Sequence, residues 1–428
     1  KIKYRKNASM NNLNPQLITE IREKFLNVDY CPVSGKRVFF ENAGGALTLK
    51  SVLRASNEFA AFPDNQGRSN KSSKYAMKKI KEGKDDIRLL FNATSGIVFV
   101  GESGTELIFR IIRDAIISSK KGGNVVGSTL EHPATRSASL RWSKVFNKNY
   151  ISIPHCSSTG SINPKDYEKF VSEDTRVATI IHSSPVTGMT ADVAKISESI
   201  RKIAPECIII IDGIQHASHG VIDVEAYDAD AYIISPYKVF SRHGYGVAWL
   251  SDRLRKVDHD KLIDGPEDSW ELGTRDAGSY ATFSEVVNYL CWLGSSVSSS
   301  NNPRGKLLAA YDAIKSLEKG LINLMIEGTR AVTGLKYLPK LHAIGGFDNA
   351  KRAGLISIYC DDLDSFKIVD LLREKGIRVH VRKDDHYSGT ILKTLSLKSC
   401  VRISLCHYNT KEEVLNFLIV MNEICENR

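Results

Sequence analysis

No stretch of this 428-residue chain reaches the roughly 18 uncharged apolar residues of a membrane-spanning helix, so no part of it is expected to cross a bilayer. The basic, Asn-rich beginning, Lys1 to Asn14, lacks the apolar middle of a secretory signal peptide, and a soluble, cytosolic protein is the resulting expectation. The eight cysteines form no Cys-x-x-Cys pair and no zinc spacing with histidine, which argues against a disulfide scaffold and against a structural metal. Several lie in apolar runs such as Cys207-Ile-Ile-Ile-Ile and read as reduced core thiols. A basic block interleaved with aromatics is also missing: the net charge of +10 is spread over 59 basic residues among 49 acids. That pattern is a solvated basic surface rather than a nucleic-acid face, and it favours anionic ligands. Internal repeats and low-complexity segments are absent as well, which excludes a solenoid.

What is present is a chain that is 42% hydrophobic and long enough for two domains. Between about residues 90 and 250, short β-branched apolar runs alternate with helical patterns, the signature of a mostly parallel sheet covered by helices on both faces. The predicted strands are Gly96–Val100, Asn124–Gly127, Val177–His182, Cys207–Asp212, Ala231–Ile234 and Gly246–Leu250. Ligands are expected at their C-terminal ends. Beyond about residue 300 the pattern predicts strands at Gly354–Cys360, Ile377–Val381 and Cys400–Cys406, a helix near Leu363–Lys375, and a final helix opened by a Thr410/Glu413 capping box. The predicted division is an N-terminal segment, 1–45, packing with the small domain, a large α/β domain, 46–295, and a small α+β domain, 296–428.

Three turns between these elements carry chemistry. Gly101-Glu-Ser-Gly104-Thr105 joins a strand to an apolar-faced helix, where free N–H groups, the helix dipole and the Thr105 hydroxyl suit a phosphate; the same turn also reads simply as a tight connection. Asp212 ends an all-isoleucine strand, so it either caps the next helix or presents a carboxylate to a pyridinium N–H. Lys238, in Ser235-Pro-Tyr-Lys238, follows Asp212 by 26 residues at the end of the next strand. A lysine so placed can form a Schiff base and move protons at a substrate Cα if its pKa is lowered.

Together these elements resemble fold-type I pyridoxal-5′-phosphate (PLP) enzymes, specifically the class V aminotransferase and cysteine desulfurase superfamily, over about residues 38–425. The resemblance implies an α/β fold with a mostly parallel seven-stranded sheet and a small C-terminal domain. It assigns Lys238 as the cofactor lysine and His132, in Glu131-His-Pro-Ala134, as the residue stacked on the cofactor ring. Asp212 and Gln215 match its Asp-x-x-Gln, contacting the pyridine nitrogen and the phenolic oxygen. Gly104, Thr105, Ser235 and Tyr237 are implied to hold phosphate, Tyr237 standing where the family has His. Thr274, in Glu271-Leu-Gly-Thr274, is implied to reach the neighbouring site of a homodimer. Arg402, in Val401-Arg-Ile-Ser404, is implied to grip the substrate carboxylate, and Asn42 and Gly44, in Glu41-Asn-Ala-Gly-Gly45, to line the substrate site.

The sequence departs from the desulfurase pattern at two places. Tyr387, in Arg382-Lys-Asp-Asp-His-Tyr387, occupies the position of the nucleophilic Cys, and Pro185 replaces a substrate-contacting Asn. The implied activity is therefore a lyase cleaving a C–S bond of a cysteine derivative: Lys238 takes the Cα proton, Asp212 maintains the electron sink and the Cβ substituent leaves. Transamination or epimerisation shares these residues and stays open, as does a desulfurase using Cys400 or Cys406. From another class, an inactive scaffold or nucleic-acid-binding protein remains the alternative. Specificity is expected from the loops around Asn65–Ser73, Asp252–Trp270 and Lys383–Leu395.

Overall fold

The computed structural model describes residues 15–426; the reading of Lys1 to Asn14 lies outside that range. Seven strands form the main sheet: β1 (Ile97–Gly101), β2 (Asn124–Ser128), β3 (Asn149–Ile153), β4 (Thr175–Ile181), β5 (Ile208–Asp212), β6 (Ala231–Ile234) and β7 (Gly246–Leu250). Their spatial order is β1-β7-β6-β5-β4-β2-β3. All neighbours are parallel except β7, which runs antiparallel to both β1 and β6. This is the α/β, mostly parallel architecture that the alternating pattern predicts, with β3 as an additional edge strand.

The near-continuous apolar strands follow from burial on both faces. Along β5, Ile209 and Ile211 enter one core, while Ile208 and Ile210 enter the other. The first core is covered by helices Lys71–Phe91, Val193–Ile203, Ala277–Val297 and Pro303–Glu327, the second by Gly104–Ser118 and Pro133–Val145. Each isoleucine so buried contributes about 1.5–3 kcal/mol relative to exposure. Because β7 is antiparallel, it brings its first residue, Gly246, to the ligand edge. A Cβ there would lie 2.5 Å from the Gly104 nitrogen, so glycine is what lets the β1 turn settle against β7.

A second sheet comprises β8 (Leu341–Ala343), β9 (Leu355–Cys360), β10 (His380–Lys383) and β11 (Ser399–Ser404), antiparallel throughout and ordered β8-β9-β11-β10. Val401 and Ile403 point into a core with helices Ser365–Glu374 and Lys411–Glu426. Period-two alternation therefore turns Cys400, Arg402 and Ser404 to the opposite face, and Cys400 packs into the core of the main sheet. The predicted strand Ile377–Val381 is broken in two. Ile377–Arg378 pairs in parallel with Val38–Phe39, and only His380 onward joins the sheet. The chain from Phe40 to Asn42 continues along β11, with Ser404 N donating to Phe40 O at 2.9 Å. The Thr410/Glu413 capping box forms as expected, each backbone N–H donating to the other side chain at 3.0 and 3.2 Å.

Candidate active site

The C-terminal ends of β4, β5 and β6 and the turn after β1 converge on one cavity lined by Thr105, His132, Ile181, Pro185, Asp212, Ile214, Gln215, Ser235, Tyr237 and Lys238. Eight of the residues singled out from the sequence are thus brought together: Thr105, His132, Pro185, Asp212, Gln215, Ser235, Tyr237 and Lys238. Lys238 sits in a single 3-10 turn, Pro236–Lys238, whose closing bond runs from its N–H to Ser235 O at 2.9 Å. That turn aims the buried ammonium at Gln215 Oε1, 3.2 Å away.

Burial comes first among the causes that bring the Lys238 ammonium down to about 8, followed by the positive field of Arg402; Asp212 opposes, and Arg382 adds to the lowering. His132 is the N-cap of helix Pro133–Val145, and its Nδ1 accepts from Ala134 N at 3.2 Å, which leaves Nε2 as the proton-bearing nitrogen. Burial, then Lys238 and Arg382, push its imidazolium down to about 4, so the ring is neutral at physiological pH. Asp212 is buried, and burial raises its carboxyl above the usual carboxylate range. It accepts from Ile214 N at 3.0 Å and Thr135 Oγ1 at 3.3 Å, yet has no ion-pair partner among the described residues. Thr135 was not singled out from the sequence. Its spacing of three from His132, one helical turn, is the signal that places both on one side of the helix.

Arg402 approaches from the second sheet and Gly44 from the N-terminal segment. Arg402 is buried on the face of β11 turned towards the main sheet and donates through Nη1 to Pro185 O at 3.2 Å. A Cβ on Gly44 would lie 3.6 Å from Arg402 Nη2, so the Gly44 turn packs beside that guanidinium. Asn42 faces elsewhere. Its side chain is buried, donates to Ser404 O at 2.8 Å and accepts from the Tyr408 hydroxyl, tying the N-terminal segment to the end of β11. Thr274 is exposed and lies outside its own chain's cavity, beside Phe62 and Asn65. Tyr387 is about half exposed, in a loop closed by the short helix Gly389–Thr394, which occupies part of the expected specificity loop at 383–395.

The sequence profile of the family "Aminotransferase class-V" matches residues 38–269 and 311–417. This chain belongs to that family. Class-V aminotransferases and cysteine desulfurases are PLP-dependent enzymes, and PLP is the cofactor of this one. Similar curated proteins include a probable cysteine desulfurase of Borreliella burgdorferi, 25% identical over 94% of this chain and 96% of that protein. The cysteine desulfurase-like protein ustD of Aspergillus flavus is 26% identical over 92% of this chain and 88% of that protein. Among solved structures, the apo cysteine desulfurase of Thermococcus onnurineus NA1 superposes with a TM-score of 0.80 at 20% identity, covering 99% of this chain and all of that one. The Escherichia coli desulfurase CsdA gives 0.78 at 19% identity, covering 97% of this chain and all of that one. The fold is thus that of the fold-type I enzymes.

The cavity suits a class-V cofactor on its own chemistry. At one end, the Thr105 and Ser235 hydroxyls meet the first N–H groups of helix Gly104–Ser118, a place that favours phosphate. A Cβ on Gly104 would lie 2.3 Å from Ser235 Oγ, so glycine lets the Ser235 hydroxyl settle against the start of that helix. Asp212 offers a buried carboxylate with no cation of its own, which a pyridinium N–H would complete.

No described helix is long and apolar enough to cross a membrane. Cys207, Cys400, Cys406 and Cys425 are buried, and Cys31, Cys156, Cys291 and Cys360 are partly exposed.

Proposed function

We propose that this class-V enzyme is a C–S lyase that cleaves a cysteine-type amino acid by β-elimination. The observation that carries the reading is that Lys238 lines the cavity while Cys400 and Cys406, the cysteines considered as substitute nucleophiles, are buried and do not line it. Burial pushes the Cys400 thiol up to about 12 and raises that of Cys406 well above the usual range. Tyr387 holds the place of the desulfurase nucleophile, so the sulfur leaves with its own substituent rather than passing to the protein.

Bound PLP supplies the electron sink for charge developing at the substrate Cα. Lys238, with its ammonium at about 8, is the residue that accepts the Cα proton and can return one. With PLP bound, Asp212 would keep the ring nitrogen protonated, Gln215 would meet the ring oxygen, and Gly104, Thr105, Ser235 and Tyr237 would hold the phosphate. His132 would serve beside the ring as a neutral imidazole. Arg402, fixed by Pro185 O, orients the substrate carboxylate in a bidentate grip. Loss of the Cα proton and of the Cβ–S bond yields a thiol and, after hydrolysis, pyruvate and ammonia. In this reading Thr274, exposed outside its own cavity, completes the site of a second copy in a cytosolic homodimer.

The test is to incubate the PLP-loaded protein with cysteine, cystine and S-substituted cysteines and to quantify pyruvate, ammonia and thiol. Stoichiometric pyruvate and thiol, absent in Lys238→Ala, support the lyase. Accumulation of the pyridoxamine form without a leaving group would replace it with transamination, and racemised substrate would replace it with epimerisation.

A further inference from the structure

A group of buried donors outside the cofactor cavity takes no part in the reaction described above. Glu318 lies on helix Pro303–Glu327, and Cys406 and His407 follow the end of β11. All three side chains are buried, and one donor atom from each lies within 4.8 Å of the other two. His219, in the turn after β5, sets its Nδ1 3.0 and 2.8 Å from the two carboxylate oxygens of Glu318. No Cys/His spacing along the sequence marks this group, because its members come from three separate segments.

The donors and their spacing suit a divalent cation. A tetrahedral zinc, with bonds of about 2.3 Å to sulfur and about 2.0–2.1 Å to nitrogen, holds those two atoms about 3.5 Å apart. Cys406 Sγ and His407 Nδ1 are separated by 3.4 Å. The surrounding contacts fit as well. Tyr289 Oη lies 2.6 Å from His407 Nε2, so that nitrogen can donate to the hydroxyl and leave the Nδ1 lone pair facing inward. His219 orients the carboxylate in the same way, and a Cβ on Gly354 would lie 2.7 Å from Glu318 Oε2, so glycine makes room for it. Glu318 has no Lys or Arg within ion-pair distance among the described residues. A thiolate and a carboxylate together carry two negative charges, which one divalent ion cancels, leaving a neutral buried site. His219, Glu318 and Gly354 also line a separate cavity of about 870 Å³, which gives an ion its path in.

We propose that Glu318, Cys406 and His407 bind a zinc ion, with the fourth position of the tetrahedron taken by water from that cavity. Binding forms Zn–O, Zn–S and Zn–N bonds, displaces water from the aqueous ion and releases the Cys406 thiol proton to solvent; nothing is oxidised or reduced. The ion acts as a staple. Helix Pro303–Glu327 buries Leu307 and Ile314 in the core of the main sheet and Leu321 and Met325 in that of the second sheet. Tying Cys406 and His407 to this helix holds the end of β11, and with it Arg402, at a set distance from the main sheet. The site does not depend on the lyase reading.

The experiment strips the PLP-loaded protein of metal by dialysis against a chelator. Zn²⁺ uptake is then measured by competition with a chromophoric chelator, and Co²⁺ uptake by difference spectroscopy. The wild type binds one Zn²⁺ per chain with a dissociation constant below about 1 µM, and Co²⁺ gives tetrahedral visible bands with a thiolate-to-metal charge-transfer band. Cys406→Ser removes the charge-transfer band and weakens zinc at least about a hundredfold, and Glu318→Gln weakens it with the band retained. Tyr289→Phe keeps all three ligands and the band, yet weakens zinc about ten- to a hundredfold, as loss of an outer contact does. Circular dichroism checks the folding of each variant, and where one does not fold the others carry the same test. A wild type that takes up no zinc overturns the proposal. So does uptake that Cys406→Ser, Glu318→Gln and Tyr289→Phe all leave unchanged, which would put the ion on exposed groups such as Cys31 or Cys156.

Discussion

Lys238 Nζ donates to Gln215 Oε1 across 3.2 Å, and both residues are buried. An amide oxygen orients an ammonium without balancing its charge, so burial and the fields of Arg402 and Arg382 prevail over that of Asp212 and bring the group to about 8. The neutral amine is the form that captures PLP. The rate at which cofactor-free protein captures it, measured after borohydride trapping, should rise about tenfold per pH unit below 8 and level off above. Arg402→Met should move the midpoint upward. The stability linkage has a definite sign: an unfolded lysine titrates near about 10.4, so between 8 and that value the unfolded chain binds more protons. This group's contribution to stability therefore rises with pH through the window. A midpoint near 10 in the wild type would contradict the account.

The phosphate end makes a prediction of volume. In Gly104→Ala the new methyl meets Ser235 Oγ at 2.3 Å and Ile214 Cδ1 at 2.8 Å. Overpacking of this kind costs about 1–3 kcal/mol. Because the methyl would displace the Ser235 hydroxyl, one of the groups proposed to hold the phosphate, the loss should fall on PLP affinity, by roughly ten- to a hundredfold on the same scale. Dialysis against limiting PLP with absorbance readout measures it. Retention equal to wild type would show that the phosphate lies elsewhere.

Away from the cavity, His219 Nδ1 and Glu318 Oε2 are 2.8 Å apart, and both side chains are buried. Burial raises the Glu318 carboxyl, with His219 opposing that rise. Removing one partner of a buried pair leaves a charge without compensation, at about 3–5 kcal/mol. His219→Ala should lower unfolding free energy by that order in chemical denaturation while the loaded protein keeps its cofactor band. A change below about 1 kcal/mol, the scale of an exposed pair, would mean that water reaches the carboxylate.

How much was legible in the sequence follows from what is local. Six strands of the main sheet are visible because burial on both faces makes them continuous apolar runs, and the polar residue ending a run, as Asp212 ends β5, marks the ligand edge. β3, Asn149–Ile153, escaped notice because it is an edge strand, half exposed and flanked by Asn and Lys. β8, three residues long, gives too short a pattern to register. The break at Val379 was hidden because the halves of one apolar run pair with partners far apart in sequence, Phe39 and Arg402. Arg382 was not assigned for the same reason: its place beside Arg402 comes from the β10 and β11 register, which has no one-dimensional signature. Thr135 did have a signal, its spacing of three from His132, but its contact with Asp212 is non-local.

The cysteines test the lyase reading most directly. A persulfide route needs a thiolate beside the cofactor, but Cys400 is held at about 12 and Cys406 well above the usual range, both by burial first. The reactive thiols lie elsewhere. The Ser34 side chain leads the causes that lower Cys31 to about 6, and Ser158, 3.2 Å from the sulfur, leads those that lower Cys156 to about 7. At pH 7.5 iodoacetamide should therefore modify Cys31 and Cys156 within minutes and leave Cys400 and Cys406 untouched, as peptide mapping would show. Turnover of the sulfur substrate should survive that labelling. It should also survive Cys400→Ala, apart from a packing cost of about 1 kcal/mol. Turnover that falls in proportion to the label on any one cysteine would place a sulfur-accepting thiolate in the reaction, and the elimination described above would have to give way to persulfide transfer.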